Sequence, residues 1–99
     1  MRIDIARDNE TGENVGYCIT TVSKDNLGEI DSIYIERGYR RRGIGDSLMK
    51  KALAWMDGLS IAKRVIAVAS GNEEVIDFYR RFNFFPRTII LEQVENKDG

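Results

Sequence analysis

Residues 29–57 read EIDSIYIERGYRRRGIGDSLMKKALAWMD, and the predicted arrangement of strands and helices depends on this segment. Its first part, Glu29–Ile35, alternates apolar and polar side chains, a pattern that predicts a half-buried β-strand. From Gly43 to Asp57 the apolar residues recur at helical spacing, which predicts an amphipathic helix. A strand therefore passes through a loop rich in arginine and glycine directly into a helix.

The flanking sequence extends this unit in both directions. Two strands are predicted before it, Arg2–Ala6 and Val15–Val22, and the turn-forming residues between them favour a hairpin. After it, the apolar run Val65–Ala69 predicts a strand covered on both faces, Asn72 begins a second helix, and Thr88–Val94 is a last strand. The order β-β-β-α-β-α-β predicts an α/β fold, an α+β arrangement of helices on one mixed sheet.

Chain length and polarity limit the organisation. With 99 residues the chain holds one domain at most, and we predict a single domain over residues 1–94 and a flexible tail over residues 95–99. The segment Met1–Arg7 is too polar for a signal peptide, and no apolar run approaches the length of a membrane span.

Charge and cysteine content disfavour several classes of function. The net charge of −1 gives no global attraction to nucleic acid or to an anionic membrane. The chain has no histidine and a single cysteine, Cys18, so an internal disulfide, a Cys/His metal site and catalysis by Ser-His or Cys-His arrangements are excluded. We predict Cys18 as a small core residue, a protein without a metal, and a reducing, cytoplasmic setting.

The loop Arg40–Gly45 has the chemistry of an anion site. The first N–H groups of a helix have no intrahelical partner, and the helix dipole favours negative charge there. Gly43 and Gly45 remove side chains that would block a close backbone approach, and the neighbouring guanidinium groups add charge-assisted hydrogen bonds. This combination suits a diphosphate better than a single carboxylate, and it matches neither a Walker loop nor the dinucleotide fingerprint.

Three signals together resemble one family. The loop Arg40–Gly45 is similar to the Arg/Gln-x-x-Gly-x-Gly/Ala signature of the GNAT superfamily of N-acetyltransferases, and Ile33–Ile35 resembles the strand with which that family contacts pantetheine. Downstream, Asn72 and Phe78–Phe84 resemble the family's Asn and its Phe-Tyr-x-x-x-Gly-Phe pattern. The seven-residue interval from Asn72 to Tyr79 is the spacing of that family.

The resemblance implies direct transfer of an acetyl group from acetyl-CoA to an amine. Tyr79 stands where the family often places the general acid that protonates the departing thiolate, and Glu29 stands at the position of a glutamate that acts as base through water in some members. The acceptor, a small-molecule or protein amine, is not identified. The cofactor-binding residues that the resemblance implies are Ile33, Tyr34, Ile35, Arg40, Arg41, Arg42, Gly43, Ile44, Gly45, Asp46, Asn72 and Tyr79.

Two departures from the family pattern lead to further expectations. Asn83 replaces a glycine, and we expect it just past the helix end in a left-handed conformation, which Asn tolerates better than most residues. The chain also begins at what resembles the family's second strand, without the usual first strand and two helices. A sheet edge without its cover invites pairing with another chain, so we expect self-association as a homodimer.

Other interpretations of the same residues stay open. Tyr79 is equally explained as a core residue of an amphipathic helix, Asn72 as a helix N-cap, and Glu29 as a solvent-facing strand residue. At the level of the whole chain, the alternative to an acetyltransferase is a module that binds acyl-CoA or another chain without catalysis. The near-neutral charge disfavours a third possibility, binding of nucleic acid by the arginines.

Overall fold

Three antiparallel strands build the first part of the sheet. In the computed structural model, which describes residues 1–95, they are β1 (Arg2–Arg7), β2 (Asn14–Val22) and β3 (Leu27–Ile35). The tight turn from β2 to β3 places Asn26 at a φ of 59°, a left-handed conformation in which Asn is enriched. The predicted antiparallel meander is confirmed.

A helix then crosses over the sheet. After a 3-10 turn at Arg37–Tyr39, helix α1 (Ile44–Gly58) carries the chain to β4 (Lys63–Ile66), which pairs with β3 in parallel. Parallel neighbours need a crossover connection of this kind, and the resulting sheet order is β1-β2-β3-β4. A second 3-10 turn, Glu73–Val75, leads into the short helix α2 (Ile76–Arg80). The predicted α/β fold with a mixed sheet is confirmed.

The core lies between α1 and one face of the sheet. Side chains at helical spacing on α1 pack against inward-facing residues of the strands, and burial of each large apolar side chain contributes roughly 1.5–3 kcal/mol. This packing fixes the start of α1 relative to the end of β3. The fully buried cluster consists of Cys18, Ile30, Leu48, Met49, Ala52, Met56 and Ile61.

The prediction of a last strand at Thr88–Val94 is wrong. These residues form no strand and lie outside the sheet. Ile89, Ile90 and Leu91 are 85%, 85% and 91% exposed. An apolar pattern favours a strand, but a strand also needs a neighbour that satisfies its backbone hydrogen bonds, and residues 1–95 offer none at this place. The order of elements in the described chain is therefore β-β-β-α-β-α.

Several boundaries also differ from the sequence-based prediction. Strand β4 ends at Ile66, so the apolar run Val65–Ala69 is only partly strand. Helix α1 continues through Gly58, and the left-handed residue after it is Ser60, with a φ of 58°. Asn83 has a φ of 68° as predicted. Residues 96–99 of the predicted tail lie outside the described residues.

Within residues 1–95, no helix is both long enough and apolar enough to cross a membrane.

Candidate functional site

The first element of the site is a divergence between the two parallel strands. Pairing of β3 with β4 ends at Ile30 opposite Ile66, whereas β3 continues to Ile35. A register shift between β2 and β3 occurs beside the same point, where Ile19 lies opposite Ser32. Such an irregularity bends the strand and re-aims its side chains. Beyond Ile30, one edge of β3 therefore presents backbone groups that β4 does not satisfy.

The loop before α1 forms the second element. Arg41 and Gly43 adopt left-handed conformations, with φ angles of 66° and 78°. A non-glycine residue in this region costs on the order of 1–3 kcal/mol, and such strain concentrates at functional sites. Within residues 1–95, no backbone N–H of the segment from Gly43 to Asp46 donates a hydrogen bond to another backbone or side-chain group. The free N–H groups make a concave donor site for an anion.

Two arginines of this loop are held by aromatic rings. The Nε of Arg40 donates a hydrogen bond of 2.9 Å to the carbonyl oxygen of Ile35, and its guanidinium carbon lies 6.0 Å from the ring centre of Tyr34. The guanidinium carbon of Arg42 lies 5.0 Å from the ring centre of Tyr39. These contacts keep two positive charges beside the loop at reduced conformational freedom. Arg41 is exposed at the strained position between them.

A second anchor joins the loop to the β1–β2 turn. The hydroxyl of Tyr39 donates a short hydrogen bond to the carboxylate of Asp8, which lies 31 residues earlier. That bond lowers the pKa of the Asp8 carboxyl and raises the pKa of the Tyr39 hydroxyl. Sequence reasoning missed this contact, because neither residue belongs to a local pattern that names its partner.

Helix α2 supports the start of α1 from the other side. A Cβ atom added at Gly45 would lie 3.1 Å from Cδ1 of Ile35 and 3.2 Å from Cζ of Phe78, so the absent side chain permits close packing of β3, α1 and α2. Next to it, Arg81 makes a bidentate ion pair with Asp46, at 2.7 and 3.0 Å. From the sequence, Gly45 was assigned to a close approach of the anion, and neither this packing nor the pair of Arg81 with Asp46 was predicted.

Tyr79 and Glu29 lie on different faces of the sheet. Tyr79 is half-buried against the core beneath α1, and this burial raises the pKa of its hydroxyl. Glu29 lies between Gly28 and Ile30, which both face α1, so the strand alternation directs Glu29 to the opposite face. The structure therefore brings Tyr79 to the α1 side of the sheet and does not bring Glu29 there.

Asn72 stands at the start of the 3-10 turn that precedes α2. It is exposed, and its side chain makes no capping hydrogen bond. The backbone N–H of Gly71 instead donates to Oε1 of Glu73 at 2.9 Å. Since capping does not occupy the Asn72 amide, the interpretation of this residue as a simple N-cap is not supported.

The model of one protein family matches most of the chain. The model of the acetyltransferase (GNAT) family matches residues 3–84. The chain belongs to the GNAT family. The matched range contains both strands of the divergence, the loop, and helices α1 and α2.

Relatives of this GNAT chain include one curated protein and many solved structures. An uncharacterized N-acetyltransferase of Methanocaldococcus jannaschii is 28% identical over 74 residues, which is 73% of this chain and 32% of that protein. A protein of Pyrococcus furiosus assigned as an acetyl transferase is 24% identical with a TM-score of 0.78, over 94% of this chain and 64% of that one. The chain thus spans about a third of the length of the curated relative it matches.

Another structural neighbour was solved with coenzyme A. The aminoglycoside N-acetyltransferase AAC(6')-Iy in complex with CoA has a TM-score of 0.78 at 12% identity, over 94% of this chain and 74% of that one. At this identity the similarity establishes a shared GNAT fold.

The GNAT site as built offers two sets of backbone donors and one half-buried phenol. The donors of the loop lie at the start of α1, those of β3 lie along the edge that β4 leaves, and Tyr79 belongs to α2. In the part of the chain that the structure describes, no group of three or more His, Cys, Asp or Glu side chains is placed to hold a metal ion.

Proposed function

We propose that this chain is the acetyl-CoA-binding part of an N-acetyltransferase that transfers an acetyl group to an amine. The observation that carries the proposal is the row of free N–H groups at Gly43–Asp46, next to the unpaired edge of β3, in a chain of the GNAT family. Similar folds solved with CoA or acetyl-CoA support the choice of ligand.

The diphosphate of the ligand fits the loop. Its negative charge is matched by the N–H groups at the start of α1 and by the helix dipole. Arg40, Arg41 and Arg42 add cationic groups around the same place, and charge-assisted hydrogen bonds contribute roughly 1.5–3 kcal/mol each. We assign Arg40–Asp46 to this part of the ligand.

The pantetheine arm fits the divergence between β3 and β4. Its amide groups can pair with backbone groups of Ile33 and Ile35, as an added strand would, because β4 has already ended. The backbone groups of Tyr34, between them, point to β2. The exposed Asn72 amide can hold the arm from the side of α2. The thioester carbonyl then lies where backbone N–H groups of β3 can polarise it.

Tyr79 serves as general acid in this proposal. The acceptor amine attacks the thioester carbonyl, the carbon–sulfur bond breaks, and the sulfur leaves as a thiolate that takes a proton from the Tyr79 hydroxyl. Burial raises the pKa of that hydroxyl, so it carries its proton at neutral pH and is available to donate. Glu29 remains our candidate for the base that receives the amine proton through water from the far face of the sheet.

The acceptor class is a small-molecule amine. Structural neighbours include an aminoglycoside N-acetyltransferase bound to a bisubstrate analogue of CoA and acetylneamine, with a TM-score of 0.80. We also propose a cytoplasmic setting, because the proposed acyl donor is acetyl-CoA.

An exposed apolar surface favours self-association as a second property. Ile3, Ile5 and Tyr34 are 51%, 53% and 41% exposed on the sheet face opposite α1, and residues 89–91 are more exposed still. A homodimer that covers such a surface would remove apolar area from water. Sedimentation velocity at high protein concentration tests this, and a monomer alone would contradict it.

The proposed activity is tested by two measurements on the same preparation. Calorimetric titration with acetyl-CoA measures binding, and a thiol reagent measures CoA release in the presence of an aminoglycoside, a polyamine or a lysine peptide. Amine-dependent thiol release supports N-acetyl transfer. Binding without release with any amine supports the non-catalytic acyl-CoA-binding module instead, and no binding overturns both.

A further inference from the structure

The ion pair between Asp46 and Arg81 lies at the mouth of the proposed diphosphate site. Asp46 occupies the first turn of α1, and Arg81 follows the end of α2, 35 residues later in the chain. Two hydrogen bonds, of 2.7 and 3.0 Å, join the guanidinium group to both carboxylate oxygens. Bidentate geometry of this kind fixes the relative orientation of the two groups.

Asp46 is an acidic group in a place that otherwise favours anions. A groove of about 520 Å³ begins at the loop and runs along α1, lined by Gly43, Asp46, Ser47, Lys50, Lys51 and Ala54. Asp46 and Gly43 therefore border the same space. A diphosphate bound there would be repelled by this carboxylate unless another charge compensates for it.

Arg81 is held in position by more than the ion pair. Its guanidinium carbon lies 5.1 Å from the ring centre of Phe78 and 5.7 Å from that of Phe82. The two rings restrict the side chain and direct its charge toward α1. The guanidinium group of Arg81, held by these two rings, thus neutralises the Asp46 carboxylate.

We infer that Arg81 is a positioning residue for coenzyme A, which acts by cancelling the charge of Asp46 at the diphosphate site. The negative charge of Asp46 interacts favourably with the α1 dipole. Arg81 prevents the same charge from repelling the diphosphate of the ligand. The inference rests on the proposed function, since it assumes that the loop binds the diphosphate of CoA.

The test is a charge-cancellation cycle read out by calorimetric titration with coenzyme A. Arg81→Met keeps the aliphatic contact with the rings and removes the charge, and it should weaken binding about tenfold at low ionic strength. Asp46→Asn should tighten binding a few-fold, because it removes the repulsion and leaves Arg81 beside the ligand. The double variant Asp46→Asn/Arg81→Met should bind at least as well as the wild type.

Salt dependence and a matched variant separate charge from folding. In about 1 M salt the Debye length falls to roughly 3 Å, so the tenfold loss should shrink to less than about twofold. Arg80→Met removes the same charge one residue earlier, where the ion pair is with Asp77 at 3.7 Å, and should change CoA binding less than about twofold.

The outcomes are distinguishable from a failure of the proposed function. No CoA binding by the wild type would overturn the proposed function. If the wild type binds, three results would each overturn the inference: equal binding by Arg81→Met, no recovery in the double variant, or a loss with Asp46→Asn. The last result is informative even where Arg81→Met does not fold.

Discussion

Gly43→Val separates the backbone geometry of the loop from the stability of the fold. Gly43 has a φ of 78°, and a Cβ atom there would meet no heavy atom within 4 Å. The side chain therefore clashes with nothing in the protein, and its cost is the left-handed conformation itself, about 1–2 kcal/mol. For a domain of this size that corresponds to a fall in Tm of about 4–16 °C.

The effect on ligand binding should be much larger than the effect on folding. A side chain at Gly43 occupies the path of the diphosphate and favours a backbone conformation that turns the N–H groups away. Loss of two charge-assisted hydrogen bonds at roughly 1.5 kcal/mol each weakens binding by at least about a hundredfold. Calorimetric titration with acetyl-CoA, together with thermal unfolding, measures both quantities.

The chain supplies a matched control in the β1–β2 turn. Gly12 has a φ of 77°, and a Cβ atom there also meets nothing within 4 Å. Gly12→Val should therefore lower Tm by a similar amount and leave acetyl-CoA binding unchanged. The assignment of the loop would be refuted if Gly43→Val bound acetyl-CoA as tightly as Gly12→Val.

The other predictions concern the proposed acid, a turn residue and an acid-sensitive contact. Tyr79→Phe should lower kcat by about a hundredfold and leave the Kd for acetyl-CoA unchanged, and an unaltered kcat would remove Tyr79 from the chemistry. Asn83→Ala should lower Tm by about 4–8 °C because alanine tolerates the φ of 68° poorly, whereas Asn83→Gly should fold as well as the wild type; equal Tm values for all three proteins would contradict this. The Tyr39 hydroxyl lowers the pKa of Asp8, so this pair stabilises the fold above the ordinary Asp pKa of about 3.9, and the contribution is lost as pH falls through the lowered value. Denaturant titrations below pH 4 should show a steeper loss of stability for the wild type than for Tyr39→Phe, and parallel curves would argue against the contact.

Local patterns in the sequence predicted the parts of the fold that neighbouring residues determine. The meander, the crossover helix and the left-handed Asn83 follow from alternation, helical spacing and turn chemistry, which operate over a few residues. The strand at Thr88–Val94 was predicted by the same kind of pattern and is absent, because strand formation depends on a partner that the pattern does not specify.

In the candidate site, too, contiguous residues were predicted from the sequence and contacts between distant residues were not. The loop Arg40–Gly45 was predicted because its glycines, arginines and helix start are contiguous. The bond from Tyr39 to Asp8 spans 31 residues and the pair of Arg81 with Asp46 spans 35, so no local spacing indicates either contact. The placement of Glu29 on the far face depends on which side of β3 receives α1, which the alternation alone leaves undetermined.

The buried position of Cys18 gives the protein an internal reporter of opening. Cys18 is the single cysteine of the chain, its side chain is 0% exposed, and burial raises the pKa of its thiol. A labelling reagent reacts with the thiolate. In the folded state Cys18 is protected because the reagent cannot reach it and because its thiol keeps its proton. The rate of labelling in native buffer therefore measures how often the contact between β2 and α1 separates. Acetyl-CoA, by binding the closed form, should slow that rate in proportion to its occupancy.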